Sequence, residues 1–413
     1  MGNKLNYFLG LLSGMALMVI VWVTFSPLIN IQPPNLASTG NPPVTATTGE
    51  GSLDLDAISE KLNHIYQIIN THYIGEFDVD FAIEMMFAGF VYGVGDPYTS
   101  YMDAVAHDQM RQETDGAFVG IGVSITVDTT DNRILVISPF EGSPAFEAGI
   151  LPGDKIIRVD GHEVFGSDTS EAVRMMRGEI GTEVIVTILR ESDNSVFDVP
   201  IIRDLIQIET VRSDILGGNI GYIRISQFSG VTYEQFSNAY NRLMDEGVEG
   251  LIIDLRNNPG GLLDVVGDIT NMLVPEGIIT FTEDANGHRI YTYSDEQHIE
   301  IPLIVLVNGN SASASEVLSG AVLDTGVGEL LGTTTFGKGL VQGIFRLPDS
   351  SAVRVTIRRY FTPNGTSIHG IGITPTHYVE MPAELTNNLS RLSVEEDIQL
   401  MEAISILNEK IGE

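Results

Sequence analysis

The sequence predicts an α/β core with an inserted, mostly β domain, an N-terminal helical segment ahead of both, and one N-terminal transmembrane helix. Three observations carry this. Beyond residue 201, near-continuous apolar runs alternate with helical stretches, the pattern of buried parallel strands and their crossovers. Between about residues 118 and 200, short β-rich runs are separated by glycine turns. Tyr7 to Ile29 carries no charge and is long enough for a bilayer core, which takes roughly 20 apolar residues. At 413 residues the chain has room for two or three separate cores.

The apolar run sits within residues 1–30 and is read as an uncleaved anchor. It is long for a signal peptide, and no A-x-A site follows it closely. Lys4 precedes it, whereas Glu50, Asp54 and Asp56 follow, so the bulk of the chain is expected outside the cytoplasm. That makes the localisation a single-pass cell-membrane protein with an extracytoplasmic body, or a secreted one if the segment is cleaved. Residues 31–51 are rich in Pro, Thr, Ser and Gly and form a linker. Residues 52–116 turn helical, with Leu55, Ile58, Leu62, Ile65, Ile69 and Tyr73 spaced along one face. A second apolar stretch, Val79–Val94, stops at Gly95-Asp96-Pro97. Its Met85, Met86, Phe87 and Phe90 are expected to be core in a small helical packing unit.

Residues 117–200 hold the strands GIGVSITV, RILVISP and TEVIVTILR, with short helices expected near Ser143–Ala148 and Ser170–Met176. The loop Gly120-Ile121-Gly122-Val123, the run SPAFEAGILPGDKIIRVDG and the closing RGEIGTEV resemble a PDZ domain. That resemblance implies a groove that takes an extended peptide by strand addition, with backbone N–H groups of Gly120, Ile121, Gly122 and Val123 on its terminal carboxylate. In residues 201–380, Ile220–Ile225, Gly250–Leu255 and Pro302–Val307 read as central strands. Tyr233–Asp245, Leu262–Leu273 and Glu316–Leu323 read as the helices that follow them. Residues 381–413 close with an amphipathic helix near Ser393–Leu407, free to dock on this domain or on a second copy.

The formal charge of −33 excludes a nucleic-acid partner, which needs a basic face to displace counterions, and is read as a solubility feature. With no cysteine, disulfides, thiol catalysis and thiolate metal sites are excluded. The histidines show no metal-ligand spacing, so neither metal nor cofactor is expected.

Three stretches carry chemistry. Ser311, Ser313 and Ser315 alternate with alanine between a buried strand and a helix, where N–H groups favour developing negative charge. Alone, this serine-rich turn reads as a helix cap, a role that suits Ser315. Lys338 shifts the balance, because it lies between Gly337 and Gly339 in an apolar stretch with Gln342 four residues on. A desolvated lysine loses its proton more readily and can activate a serine. Gly332 to Lys338 also reads G-x-x-x-x-G-K, but Gly339 stands where a phosphate loop needs Ser or Thr, and a strand follows instead of a helix. The third stretch, Asp254 to Leu262, joins strand to helix through Pro259-Gly260-Gly261, a turn that can expose backbone N–H groups. Asp254 and Arg256 read as a structural ion pair. His369 is the rival base, in a Ser–His–Asp arrangement.

SASASE, TFGKGLVQ and DLRNNPGG together resemble the C-terminal processing peptidases, or tail-specific serine proteases, with weaker support from GDPYTSY and IGYIRISQF. The resemblance runs from about Leu53 to Tyr378. It implies a serine endopeptidase with Ser313 as nucleophile, Lys338 as base and Gln342 as its orienting partner. Ala314 and either Gly260 or Gly261 would supply the oxyanion hole, and Arg177 would couple the peptide groove to the active site. Expected partners are proteins or peptides with accessible C-termini, the membrane through the N-terminal helix, and a second copy through helical termini. A different class of function, a non-catalytic PDZ adaptor, is separated from the enzyme by activity on an unstructured substrate.

Overall fold

The computed structural model describes residues 53–386, 389 and 392–412. The anchor and most of the linker expected from the sequence lie outside these residues. Among the described residues no helix is long and apolar enough to cross a membrane.

The larger half of the chain is built on a six-stranded sheet in the order Val211–Leu216, Ile220–Ile225, Gly250–Asp254, Leu303–Val307, Gly328–Gly332, His377–Tyr378. Only the first pair is antiparallel. Its strands are apolar on both faces because both are covered. Ile253, Val305 and Leu330 belong to one core with the helices Thr232–Asp245, Leu263–Asn271 and Ala314–Thr325. Ile252, Ile304 and Leu331 belong to the opposite core, which the C-terminal helix Ile398–Ile411 closes with Leu400, Ala403 and Leu407. That helix therefore docks on its own chain. Burying a Leu or Ile side chain of this kind contributes about 1.5–3 kcal/mol relative to exposure.

A second, antiparallel sheet holds Ser100–Met102, Ala352–Phe361, Gly277–Asp284 and Arg289–Ser294, with Leu340–Arg346 also pairing to Ala352–Phe361. The inserted domain has its own core and a six-stranded sheet with Val123–Asp128 at one edge and Ser195–Ile202 at the other. It joins the larger half through a two-stranded ribbon, Ala117–Gly120 against Asp204–Gln207, in which Gly120 faces Asp204.

The N-terminal helical segment differs from expectation. Helices Leu55–His72 and Val79–Tyr92 form as the periodicity predicts, but neither buries a residue. Met85, Met86, Phe87 and Phe90 are exposed, Phe90 by 66%, so they are not core. Val79–Tyr92 is apolar around much of its circumference. Its specific ties to the second sheet are few: Tyr101 donates to Glu84 at 2.7 Å, and the rings of Phe87 and Tyr101 lie 5.7 Å apart.

Candidate active site

Three adjacent parallel strands, Gly250–Asp254, Leu303–Val307 and Gly328–Gly332, release their following turns at the same sheet edge. This is where open α/β sheets place their ligands. The three stretches singled out in the sequence are those turns.

The first two turns are locked to each other by short polar side chains. Asn257 N–H donates to Asn308 Oδ1 at 3.0 Å, and Asn308 Nδ2 donates back to Asn257 Oδ1 at 2.9 Å. Ser311 Oγ donates to the Leu255 carbonyl at 2.8 Å and Ser315 Oγ to the Asn258 carbonyl at 2.9 Å. Of the three alternating serines, the outer two are thus fully buried and tied to the facing turn, while Ser313 is half-buried and its hydroxyl is not. The helix begins at Ala314, so Ser313 and not Ser315 occupies the cap position. Ser313 also has a strained backbone, φ 57° and ψ −114°. Its carbonyl is held by the Tyr360 hydroxyl at 2.9 Å.

Glu316 joins this turn to the third. Its Oε2 accepts from Ser313 N–H at 2.9 Å and from Lys338 N–H at 2.8 Å. Its Oε1 accepts from Gly337 N–H at 2.7 Å and from the Thr335 hydroxyl at 2.6 Å. The carboxylate is completely buried. Sequence reasoning passed over Glu316, although Ser-x-x-Glu before a helix is a capping-box spacing and could have flagged it.

Lys338 is half-buried, and burial, with the nearby Arg354 charge, holds its amine below the usual lysine range against the opposing pull of Asp96 and Glu316. Its Nζ sits 5.2 Å from the centre of the Tyr98 ring. Tyr98 is placed by Asp96, which accepts from Tyr98 N–H, the Thr99 hydroxyl and the Thr356 hydroxyl. Burial pushes the Asp96 carboxyl up, but the hydrogen bonds from Thr356 and Thr99 prevail and hold it below its ordinary value. GDPYTSY therefore contributes side chains to the lysine's surroundings that the sequence left without a role. Gln342 lies at a bulge in its strand, and its Nε2 is buried without a partner. Among the described residues no hydrogen bond joins Lys338 Nζ to Ser313 or Gln342, and none joins His369 to Ser313.

The glycines of the Pro259-Gly260-Gly261 turn separate clearly. Gly260 has φ +105°, and a Cβ there would lie 2.8 Å from Ser313 Cβ and 2.9 Å from Ala314 N. Its N–H is taken by Asn258 Oδ1 at 2.9 Å. A Cβ on Gly261 would lie 2.0 Å from the Phe228 carbonyl oxygen, so this residue too must be glycine. No hydrogen bond among the described residues uses the N–H of Gly261 or of Ala314.

Comparison with known proteins places the chain in a family. Residues 219–379 match peptidase family S41, and residues 119–201 match the PDZ domain family. The chain is 38% identical over 329 residues to the carboxy-terminal-processing protease of Bartonella bacilliformis, covering 78% of this chain and 75% of that one. It is 36% identical over 340 residues to the carboxy-terminal processing protease CtpA of Bacillus subtilis, covering 82% and 71%. The chain belongs to the carboxy-terminal processing proteases of family S41. Among solved structures, the photosystem II D1 C-terminal processing protease shares 30% identity over 78% of this chain and 86% of its own, with a TM-score of 0.45.

In this carboxy-terminal processing protease, the PDZ domain presents Val123–Asp128 as a free sheet edge. The Ile121 carbonyl accepts from Ala145 N–H at 2.8 Å, and the Gly122 carbonyl accepts from Phe140 N–H and the Ser143 hydroxyl. No hydrogen bond among the described residues uses the N–H of Ile121 or Gly122. Arg177 follows the helix Thr169–Met176, which the domain packs on its sheet. Its guanidinium lies 5.2 Å from the centre of the Phe118 ring and enters no ion pair among the described residues. Its Cγ is 3.7 Å from where a Cβ on Gly120 would stand, which puts a cation beside the first residue of the loop.

Proposed function

We propose that this protease uses a Ser313–Lys338 dyad and cuts chains whose C-termini its PDZ domain captures. The carrying observation is the Glu316 carboxylate, because the N–H groups of both dyad residues converge on one of its oxygens. A nucleophile and its base are thereby tethered to a single buried point. The lowered proton affinity of the Lys338 amine, caused first by burial, is in the direction a general base needs.

In the reaction, the Lys338 amine leaves the Tyr98 ring by side-chain rotation and takes the Ser313 proton as Oγ bonds to the substrate carbonyl carbon. Negative charge on the carbonyl oxygen is received by the N–H groups of Ala314 and Gly261, the two without partners. The C–N bond breaks as Lys338 returns the proton to the leaving amine, and water then releases the acyl group from Ser313. The unpartnered Gln342 amide, four residues from Lys338, would orient the amine at the moment of transfer. At the PDZ domain, the free strand edge, the open loop N–H groups and Arg177 suit an extended peptide ending in a carboxylate.

The uncharged run Tyr7–Ile29 supports an anchor with the protease outside the cytoplasm. The exposed apolar residues of the N-terminal helices support a homodimer through them.

The test is cleavage of an unstructured substrate with a free C-terminus by the full-length protein. Ser313→Ala and Lys338→Ala are each expected to lose about 10⁴-fold or more in kcat while staying folded and still binding the tail. Parental turnover by Lys338→Ala would remove the lysine from the mechanism.

A further inference from the structure

We infer that Asp397, on the C-terminal segment, is a positioning residue for the turn that supplies the oxyanion N–H. The inference rests on the dyad reading above, since it gives that turn its catalytic purpose.

Arg256 stands directly before the Asn257–Gly261 turn and is 1% exposed. Its guanidinium makes two forks. Nε donates to Asp254 Oδ1 at 2.9 Å and Nη2 to Asp254 Oδ2 at 2.7 Å. On the other side, Nη1 donates to Asp397 Oδ1 at 2.9 Å and Nη2 to Asp397 Oδ2 at 2.7 Å, with Gln399 Oε1 a further acceptor at 3.0 Å. Asp254 is also held by the Tyr222 hydroxyl at 2.7 Å and lies 3.6 Å from Arg224. One residue on, Asn257 Nδ2 donates to the Thr386 carbonyl at 3.2 Å. The C-terminal segment thus grips the turn at two successive residues.

Docking this segment does not require buried charge, because Leu400, Ala403 and Leu407 already seat the helix in an apolar core. Buried ion pairs add little stability over apolar packing of the same volume, but a double fork fixes both the place and the plane of a guanidinium. What the network adds is geometry, delivered to the backbone that leads to Gly260 and Gly261.

Asp397→Asn in the full-length protein separates the two roles. The carboxamide oxygen can still accept from Leu400 N–H and cap the helix, as Asp397 Oδ1 does at 3.0 Å, but one prong of the fork now meets a donor. For a short peptide substrate, kcat is expected to fall on the order of 10²-fold with KM unchanged, as for a misplaced catalytic group. A peptide aldehyde, whose hemiacetal mimics the tetrahedral intermediate, is expected to lose affinity in parallel, and the unreactive peptide amide is not. Gln399→Leu removes one acceptor of Arg256, together with the Gln399 Nε2 bond to the Val379 carbonyl at 2.6 Å, and is expected to give the same split at smaller size; it serves if Asp397→Asn does not accumulate folded. Leu407→Ala loosens the same helix elsewhere and is expected to lower Tm while keeping kcat per folded molecule. The inference is overturned if Asp397→Asn and Gln399→Leu move Tm alone, or if Leu407→Ala loses kcat to the same extent. Inactive Ser313→Ala and Lys338→Ala beside a fully active Asp397→Asn would sink this inference and leave the dyad standing. Active dyad variants would sink both.

Discussion

The serine turn and the lysine turn share one carboxylate, yet their side chains are held very differently. Around Ser313 nearly every backbone group is committed: its N–H to Glu316, its carbonyl to Tyr360, and its neighbours Ser311 and Ser315 to the facing turn. Around Lys338 the backbone is equally fixed, but the amine rests over the Tyr98 ring and the Gln342 amide is unpartnered. The backbone of both turns is pinned by hydrogen bonds, whereas the Lys338 amine and the Gln342 Nε2 make none among the described residues.

The sharpest way to break this comparison is to remove what the two turns share. Glu316→Ala leaves two N–H groups of the third turn, the Ser313 N–H and the Thr335 hydroxyl without their acceptor in a dry interior. A loss of about 3–5 kcal/mol in denaturant unfolding is expected, together with loss of cleavage by whatever folds. Folded protein with parental kcat would show that the turns hold their positions without it.

A smaller perturbation reaches the lysine side alone. The charge of Arg354 helps to hold the Lys338 amine below its ordinary range. Replacing it by methionine removes repulsion between like charges, so the amine keeps its proton to higher pH. The neutral base then forms later, and the acidic limb of the pH profile of kcat/KM is expected to move alkaline. Arg354→Lys is expected to leave it near the parental position. An acidward shift for Arg354→Met would contradict the assignment of that limb to Lys338.

The least effect is expected at the distant groove. Arg177→Ala removes a cation beside the Gly120–Val123 loop, and, if that loop holds a chain end as proposed, a loss of roughly tenfold in KM is expected for substrates with a free C-terminus. Substrates with an amidated C-terminus are expected to be unchanged. A fall in kcat for both kinds would instead tie Arg177 to the active site itself.

Much of this molecule was legible before any coordinates. The central strands are buried on both faces, so Ile220–Ile225 and Leu303–Val307 announce themselves as unbroken apolar runs. The stretches holding Ser313, Lys338 and the glycine turn stood out because each sits in unusual local company, and the fold brings the three to one sheet edge. What was hidden lies in pairings across long separations. Glu316 looks like an ordinary first-turn acid until Gly337 and Lys338 come to it, and Asp397 looks like a simple helix cap until Arg256 reaches it from 141 residues away. The helix Val79–Tyr92 misled in the other direction. Apolar composition fixes that a surface wants cover, not that its own chain supplies it, and here Met85 and Phe90 lie open.

The ribbon of Ala117–Gly120 with Asp204–Gln207 has a practical reach beyond catalysis. Because Gly120 faces Asp204, the polypeptide departs and comes back at a single point, so the entropy of closing the intervening span is small and the two lobes keep separate cores. The lobe between those residues is a cassette. Its own core and its single paired connection make it a unit that folds around itself and meets the rest of the chain at one place.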